Sequence, residues 1–127
     1  MYAKEGVKDE DVKVDVLESK ITFDKFKTNS DGMIPVIVQD YKTDKVLMLA
    51  YMNEESIRKT LEEKKACYFS RSRQELWTKG LTSGNIQEVE ALYYDCDADS
   101  LLVLVKQTGV ACHTGNYSCF FNPIMEK

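Results

Sequence analysis

Two runs of β-forming residues, Ile34 to Gln39 and Val46 to Met52, stand on either side of the polar stretch Asp40-Tyr41-Lys42-Thr43-Asp44-Lys45. Branched and aliphatic side chains favour extended backbone, and a short polar insert between two such runs predicts a strand pair. Asn53 then offers an acceptor for the free amides of a helix start, with Glu54 and Glu55 at the positive end of the dipole. Ile57 and Leu61 recur at helical spacing until Lys64-Lys65 favour the C-terminal end, so one amphipathic helix is expected. Ala66 to Ser70 reads as a further strand, Ile86 to Tyr94 as another by its alternation, and Leu101 to Val105 as an apolar run of the sheet-interior kind. Arg71 to Asn85, RSRQELWTKGLTSGN, is polar and punctuated by glycine, and is expected to form a binding loop. The first residues differ: they are charge-rich, with Val12, Val14, Val16, Phe23 and Phe26 as their main apolar content, and end in the turn-prone run Thr28 to Gly32. The pattern predicts a lead-in over 1–31, with a possible short helix, and then one sheet-rich domain over 32–127. The fold class is α+β, mostly β.

A chain of 127 residues with 43% hydrophobic side chains has the material for one core. A domain this small buries only about two-thirds of the surface its unfolded chain exposes, so a dimer or a bound metal would add stability. The net charge of −4 argues against nucleic acid or an anionic membrane as partner. The longest uncharged apolar run, Val46 to Met52, falls short of the ~20 residues that span a bilayer. MYAKEGVKDED lacks the apolar segment of a signal peptide. A cytoplasmic protein is expected, with Cys67, Cys96, Cys112 and Cys119 free or metal-bound.

The segment joining the last two predicted strands, Asp95-Cys96-Asp97-Ala98-Asp99, concentrates charge. In extended backbone alternate residues share a face, so the carboxylates would point one way and Cys96 the other. Asp95 and Asp99 would then lie roughly 13 Å apart, whereas neighbouring oxygens around Mg²⁺ lie only about 3 Å apart. Convergence on one ion therefore requires the chain to curl, as a turn would make it do. A solvated acidic turn is the alternative. An EF-hand loop is excluded, because its sixth and twelfth positions need glycine and glutamate and here hold Ser100 and Lys106.

Farther on, CHTGNYSC places His113 between Cys112 and Cys119. Thiolate and imidazole are preferred zinc ligands, and a catalytic zinc keeps three protein ligands with one open position. The C-x2-C pairs of zinc fingers are missing, which leaves structural zinc, catalytic zinc and simply buried cysteines open. His113 taken alone reads equally as an imidazole bonded to backbone near a turn. In the 71–85 loop, Arg71 and Arg73 suit bidentate phosphate binding, Lys79 is a point charge, Ser72, Thr82 and Ser83 are donors, and Trp77 is a stacking surface. Solvated arginines and a core tryptophan are the alternatives there.

Taken as one signature, DCDADSLLVLVKQTGVACHTGNYSC resembles the phosphoribosyl-AMP cyclohydrolases, which open the adenine ring in histidine biosynthesis. The resemblance extends to IPVIVQD, VLMLAYMNEES, YFSRSRQELWTKG and TSGN, and so runs from Gly32 to Phe121. By position it implies that Cys96, Cys112 and Cys119 hold Zn²⁺ and that Asp95, Asp97 and Asp99 hold Mg²⁺. It further implies an intertwined homodimer in which Cys96 comes from one subunit and the Cys112/Cys119 pair from the other. The implied reaction is hydrolysis of the N1–C6 bond of 1-(5-phosphoribosyl)-AMP by a zinc-activated water, the third step of histidine biosynthesis. His113 is the candidate to take the water's proton and return it to the leaving nitrogen. Arg71, Arg73 and Lys79 would meet the substrate's anionic oxygens. Thr78 stands where many members of the family carry histidine and is given no role, and Cys67 matches no metal position. A chain that stops at Lys127 is expected to be the single-function form. The alternative is a non-enzymatic, zinc-stabilised module that binds nucleotides or RNA through SRSR and Trp77. Zinc nucleobase deaminases are set aside, because their H-x-E and P-C-x-x-C signatures are absent.

Overall fold

In a computed structural model, residues 23–127 are described; the part of the lead-in before Phe23 lies outside the described residues. The two β-forming runs are strands β1, Ile34–Asp40, and β2, Val46–Met52, paired antiparallel with Ile37 opposite Leu49. Helix α1 follows over Glu54–Glu63. Asn53 caps it reciprocally with Ser56: the Asn53 side chain accepts from the Ser56 amide at 2.9 Å, and the Asn53 amide donates to Ser56 Oγ at 2.8 Å. Lys64 ends the helix in the left-handed conformation, its amide donating to the Thr60 carbonyl. Strands β3, Cys67–Ser70, β5, Gln87–Tyr94, and β6, Leu101–Gln107, match the remaining apolar runs, with β4, Glu75–Thr78, between β3 and β5.

Strand β4 corrects the expectation of an unbroken loop over 71–85. Its polar composition hid it, and pairing with β3 creates it: the Gln74 amide closes the turn onto the Ser70 carbonyl at 2.8 Å, with Gln74 at φ +53°. Trp77 then falls opposite Tyr68, the two rings 5.7 Å apart. Cross-strand partners of this kind stabilise a short hairpin that its own sequence does not announce.

The main sheet has the order β2-β1-β6-β5, with β1 and β6 parallel and the outer pairs antiparallel. Alternation along β1 turns Ile34, Val36 and Val38 to a core shared with Leu47, Met52, Val103, Val105, Ile57 and Tyr68. Ala91 and Leu104 form a smaller cluster with Tyr41, Tyr93 and Leu102. The end of the lead-in docks on this frame: Phe26 meets Tyr94 edge-on at 5.5 Å, and the Lys27 amide donates to the Ala98 carbonyl at 2.7 Å. Among the described residues no helix is long and apolar enough to cross a membrane.

Candidate active site

A cleft of about 530 Å³ opens between the turn that follows β4 and the loop that follows β6. Trp77, Lys79, Thr82 and Ser83 line it from one side, Cys112 and His113 from the other, and Arg73 stands at its wall. The sequence reading assigned no part to Thr78, Leu81, Asn85 or Val110, which also line it. Thr78, Asn85 and Val110 fall within the quoted motifs, whereas Leu81 carried no signal. Arg71 and Ser72 are not in the wall. The Arg71 guanidinium lies over the Tyr51 ring, 4.0 Å from its centre, and Ser72 lies 3.4 Å from the Ser70 hydroxyl in the β3–β4 turn.

The two sides of the cleft are joined by a buried polar relay. The Tyr68 hydroxyl donates to Gln87 Oε1, and Gln87 Nε2 donates to Gln107 Oε1 at 2.8 Å. Gln107 Nε2 then serves the Thr108 carbonyl at 2.9 Å, with Val110 at 3.3 Å and Asn85 at 3.4 Å. The half-buried Gln107 amide thus bonds to backbone of both loops. Gly80 closes the first loop. Its φ is +83°, and a Cβ there would stand 2.4 Å from the backbone of Asn85 and Ile86. Gly80→Ala is expected to cost roughly 3 kcal/mol or more in denaturant unfolding, the sum of backbone strain and a backbone clash. Gly32, at φ +76° with open space around it, isolates the strain; Gly32→Ala should cost only about 1–2 kcal/mol.

The second loop brings two thiols together. It folds tightly, the Cys112 amide donating to Asn116 at 3.1 Å and the Gly115 amide to Cys112 at 3.0 Å. It is pinned to β2 by the Cys119 amide, 2.7 Å from the Leu47 carbonyl, and by Ser118 Oγ, 2.8 Å from the Val46 carbonyl. The Tyr117 hydroxyl adds a bond to the Asp40 carboxylate at the end of β1. The loop thereby brings the Cys112 and Cys119 thiols close enough to influence each other's ionisation. The Thr114 hydroxyl and amide draw the Cys112 thiol below its ordinary pKa, with Cys119 and Lys79 acting in the same direction. Burial pushes Cys119 up, and its bond to Cys112 adds to that. Cys112 is therefore the more readily ionised thiol of the pair. Two neighbouring thiols are a donor set that suits zinc, whose binding would displace their protons.

The acidic segment is a turn between β5 and β6, with Ala98 at φ +60°. It curls through Asp95, whose carboxylate accepts from the Asp99 amide at 2.9 Å and the Ser100 hydroxyl at 2.7 Å. Slight burial of Asp95 is outweighed by those bonds, which hold it below the usual carboxylate range. Asp99 is raised, first by its side-chain interaction with Asp95, then by desolvation and by repulsion from Asp95 and Asp97. A turn crowded with carboxylate oxygens suits a divalent cation such as Mg²⁺. The strand-face separation of Cys96 from the carboxylates does not hold in a turn. Cys96 Sγ lies 3.6 Å from Asp97 Oδ1, and that charge pushes the thiol up. Asp95, Cys96, Asp97 and Asp99 are not in the cleft wall, and among the described residues no three His, Cys, Asp or Glu side chains converge as a metal site within one chain.

A family model described as phosphoribosyl-AMP cyclohydrolase matches residues 48–121. A phosphoribosyl-AMP cyclohydrolase of Chloroherpeton thalassium is 57% identical over 98% of this chain and 81% of that protein. One from Streptococcus thermophilus is 58% identical over 86% of this chain and 94% of its own length. The histidine biosynthesis bifunctional protein HisIE of Bacillus subtilis is 61% identical over 76% of this chain and 46% of that protein. With a sheet-framed cleft that has Cys112 and His113 in one wall, the chain is an enzyme, a hydrolase acting on a carbon–nitrogen bond. It belongs to the phosphoribosyl-AMP cyclohydrolase family.

Proposed function

We propose that this protein hydrolyses the N1–C6 bond of 1-(5-phosphoribosyl)-AMP, with zinc held by Cys112, Cys119 and the Cys96 of a second copy. The observation that carries the reading is the place of Cys112 beside His113 in the cleft wall, with Cys119 near enough to shift the ionisation of Cys112. Asp95, Asp97 and Asp99 would hold magnesium. When bound, zinc supplies Lewis acidity and magnesium neutralises carboxylate and phosphate charge.

The chain's own residues do the rest. Trp77 and Leu81 give the cleft an apolar wall for the purine, and Thr82, Ser83 and Arg73 give it donors for phosphate and ribose oxygens. His113 is exposed at the cleft, so its imidazole reaches solvent and substrate alike. It takes a proton from water as the oxygen adds to C6. It returns that proton to N1 as the C6–N1 bond breaks, and C6 becomes a carboxamide carbonyl. Substitution at N1 makes the ring cationic, so the substrate itself makes C6 electrophilic.

A homodimer belongs to the same reading. Ile37 and Leu49 face each other across β1 and β2 and are 38% and 49% exposed, an apolar face a second copy would cover. A cytoplasmic location also belongs to it. The direct test is ultraviolet monitoring of purine-ring opening when purified protein meets 1-(5-phosphoribosyl)-AMP. Intact substrate after prolonged incubation with zinc- and magnesium-replete protein would remove the proposal.

A further inference from the structure

We propose that Lys79 is the buried countercharge of the Cys112/Cys119 thiol pair and a positioning residue for the loop that carries it, rather than a contact for substrate phosphates. The inference rests on the zinc reading above. Lys79 is only 8% exposed, a rare setting for lysine without a carboxylate partner. Among the described residues its ammonium forms no ion pair with Asp or Glu. It donates instead to the Ala111 carbonyl at 2.6 Å, one residue before Cys112, and stands 5.3 Å from the centre of the Trp77 ring.

Those contacts orient the ammonium but leave its charge uncompensated. The Ala111 carbonyl immediately precedes Cys112, and Lys79 and Cys112 line the same cleft, so the thiol-bearing loop is where the ammonium's charge is directed. Three thiolates around one dication leave excess negative charge in a partly buried place, and a neighbouring fixed cation offsets it. The bond to Ala111 ties that cation to the ligand-bearing loop itself. A phosphate ligand would be placed differently, as Arg73 is: its side chain is 62% exposed at the cleft wall.

The test compares Lys79→Met with wild type by chelator competition for zinc and by steady-state kinetics, with circular dichroism to verify the fold. Zinc affinity should fall about 10- to 100-fold, the range for groups that support metal ligands, while KM stays within about threefold. Unchanged zinc affinity overturns the proposal, and a KM raised about tenfold alongside it would assign Lys79 to the phosphates. Lys79→Arg keeps the charge and should hold zinc within about threefold of wild type. A folded Lys79→Arg protein that releases zinc as readily as a Cys112→Ser control overturns the countercharge, whether or not Lys79→Met folds. Wild-type protein that binds no zinc overturns the zinc reading first, and this inference with it.

Discussion

Replacing Cys112 with serine is expected to remove stoichiometric zinc and to lower turnover by on the order of 10³-fold, the several kcal/mol that a Lewis acid contributes. Serine preserves the size of the side chain and its contact with Thr114, so the loop should keep its fold. What it takes away is the more readily ionised sulfur of the pair. Metal analysis and the ring-opening assay are read together. Full activity in a zinc-free preparation would refute the role. Mixing is the sharper experiment, because no third ligand converges with Cys112 and Cys119 inside one chain among the described residues. If Cys96 comes from a second copy, a hybrid of a Cys96→Ser and a Cys112→Ser subunit has one intact site and one doubly damaged site. Random exchange of the two inactive proteins should then restore about a quarter of the wild-type activity, as the symmetry of a two-site dimer requires. No recovery, with exchange verified, would count against a shared site.

Strands and helix were legible where one side of an element meets the core and the other meets water. Ile34, Val36 and Val38 alternate for that reason, and Asn53 announces the helix through its own side chain. Strand β4 was not legible, because Glu75, Leu76, Trp77 and Thr78 become a strand only by pairing with β3, a non-local cause. The same limit applied at the site. Cys112 and His113 were visible as chemistry, but the relay from Tyr68 through Gln87 and Gln107 is made of residues scattered over three strands, and no spacing links them. Lys79 was read as a point charge for an anionic ligand, and nothing in its sequence context announced its burial. Its burial follows from the loop that folds over it, which depends in turn on the hydrogen bonds that tie Ser118 and Cys119 to β2. The acidic segment misled in a more instructive way. Period-two reasoning is sound for a strand, and it failed for Cys96 and Asp97 because the Asp95 carboxylate caps the amides of Asp99 and Ser100 and curls the chain.

His113→Ala should lower the maximal rate by roughly 10² to 10⁴, the range for loss of a general acid–base group, with zinc content unchanged. The two readouts separate because His113 is adjacent to Cys112 in the chain but is not part of the thiol pair. Its side chain is exposed at the cleft, while the Cys112 thiol meets Thr114 and neighbours Cys119. Stability should change little, since truncating an exposed side chain away from caps and core generally alters it by less than about 0.5 kcal/mol. A rate unchanged by the substitution would dismiss His113 as the proton carrier and leave solvent to do that work. Loss of zinc from His113→Ala would instead make it a ligand. The cleft would then lack a histidine base altogether, because His113 is the chain's single histidine. Proton return to N1 distinguishes the carrier from a merely adjacent group: added imidazole should restore part of the lost rate in His113→Ala and none in Cys112→Ser, where the missing element is the metal's own ligand.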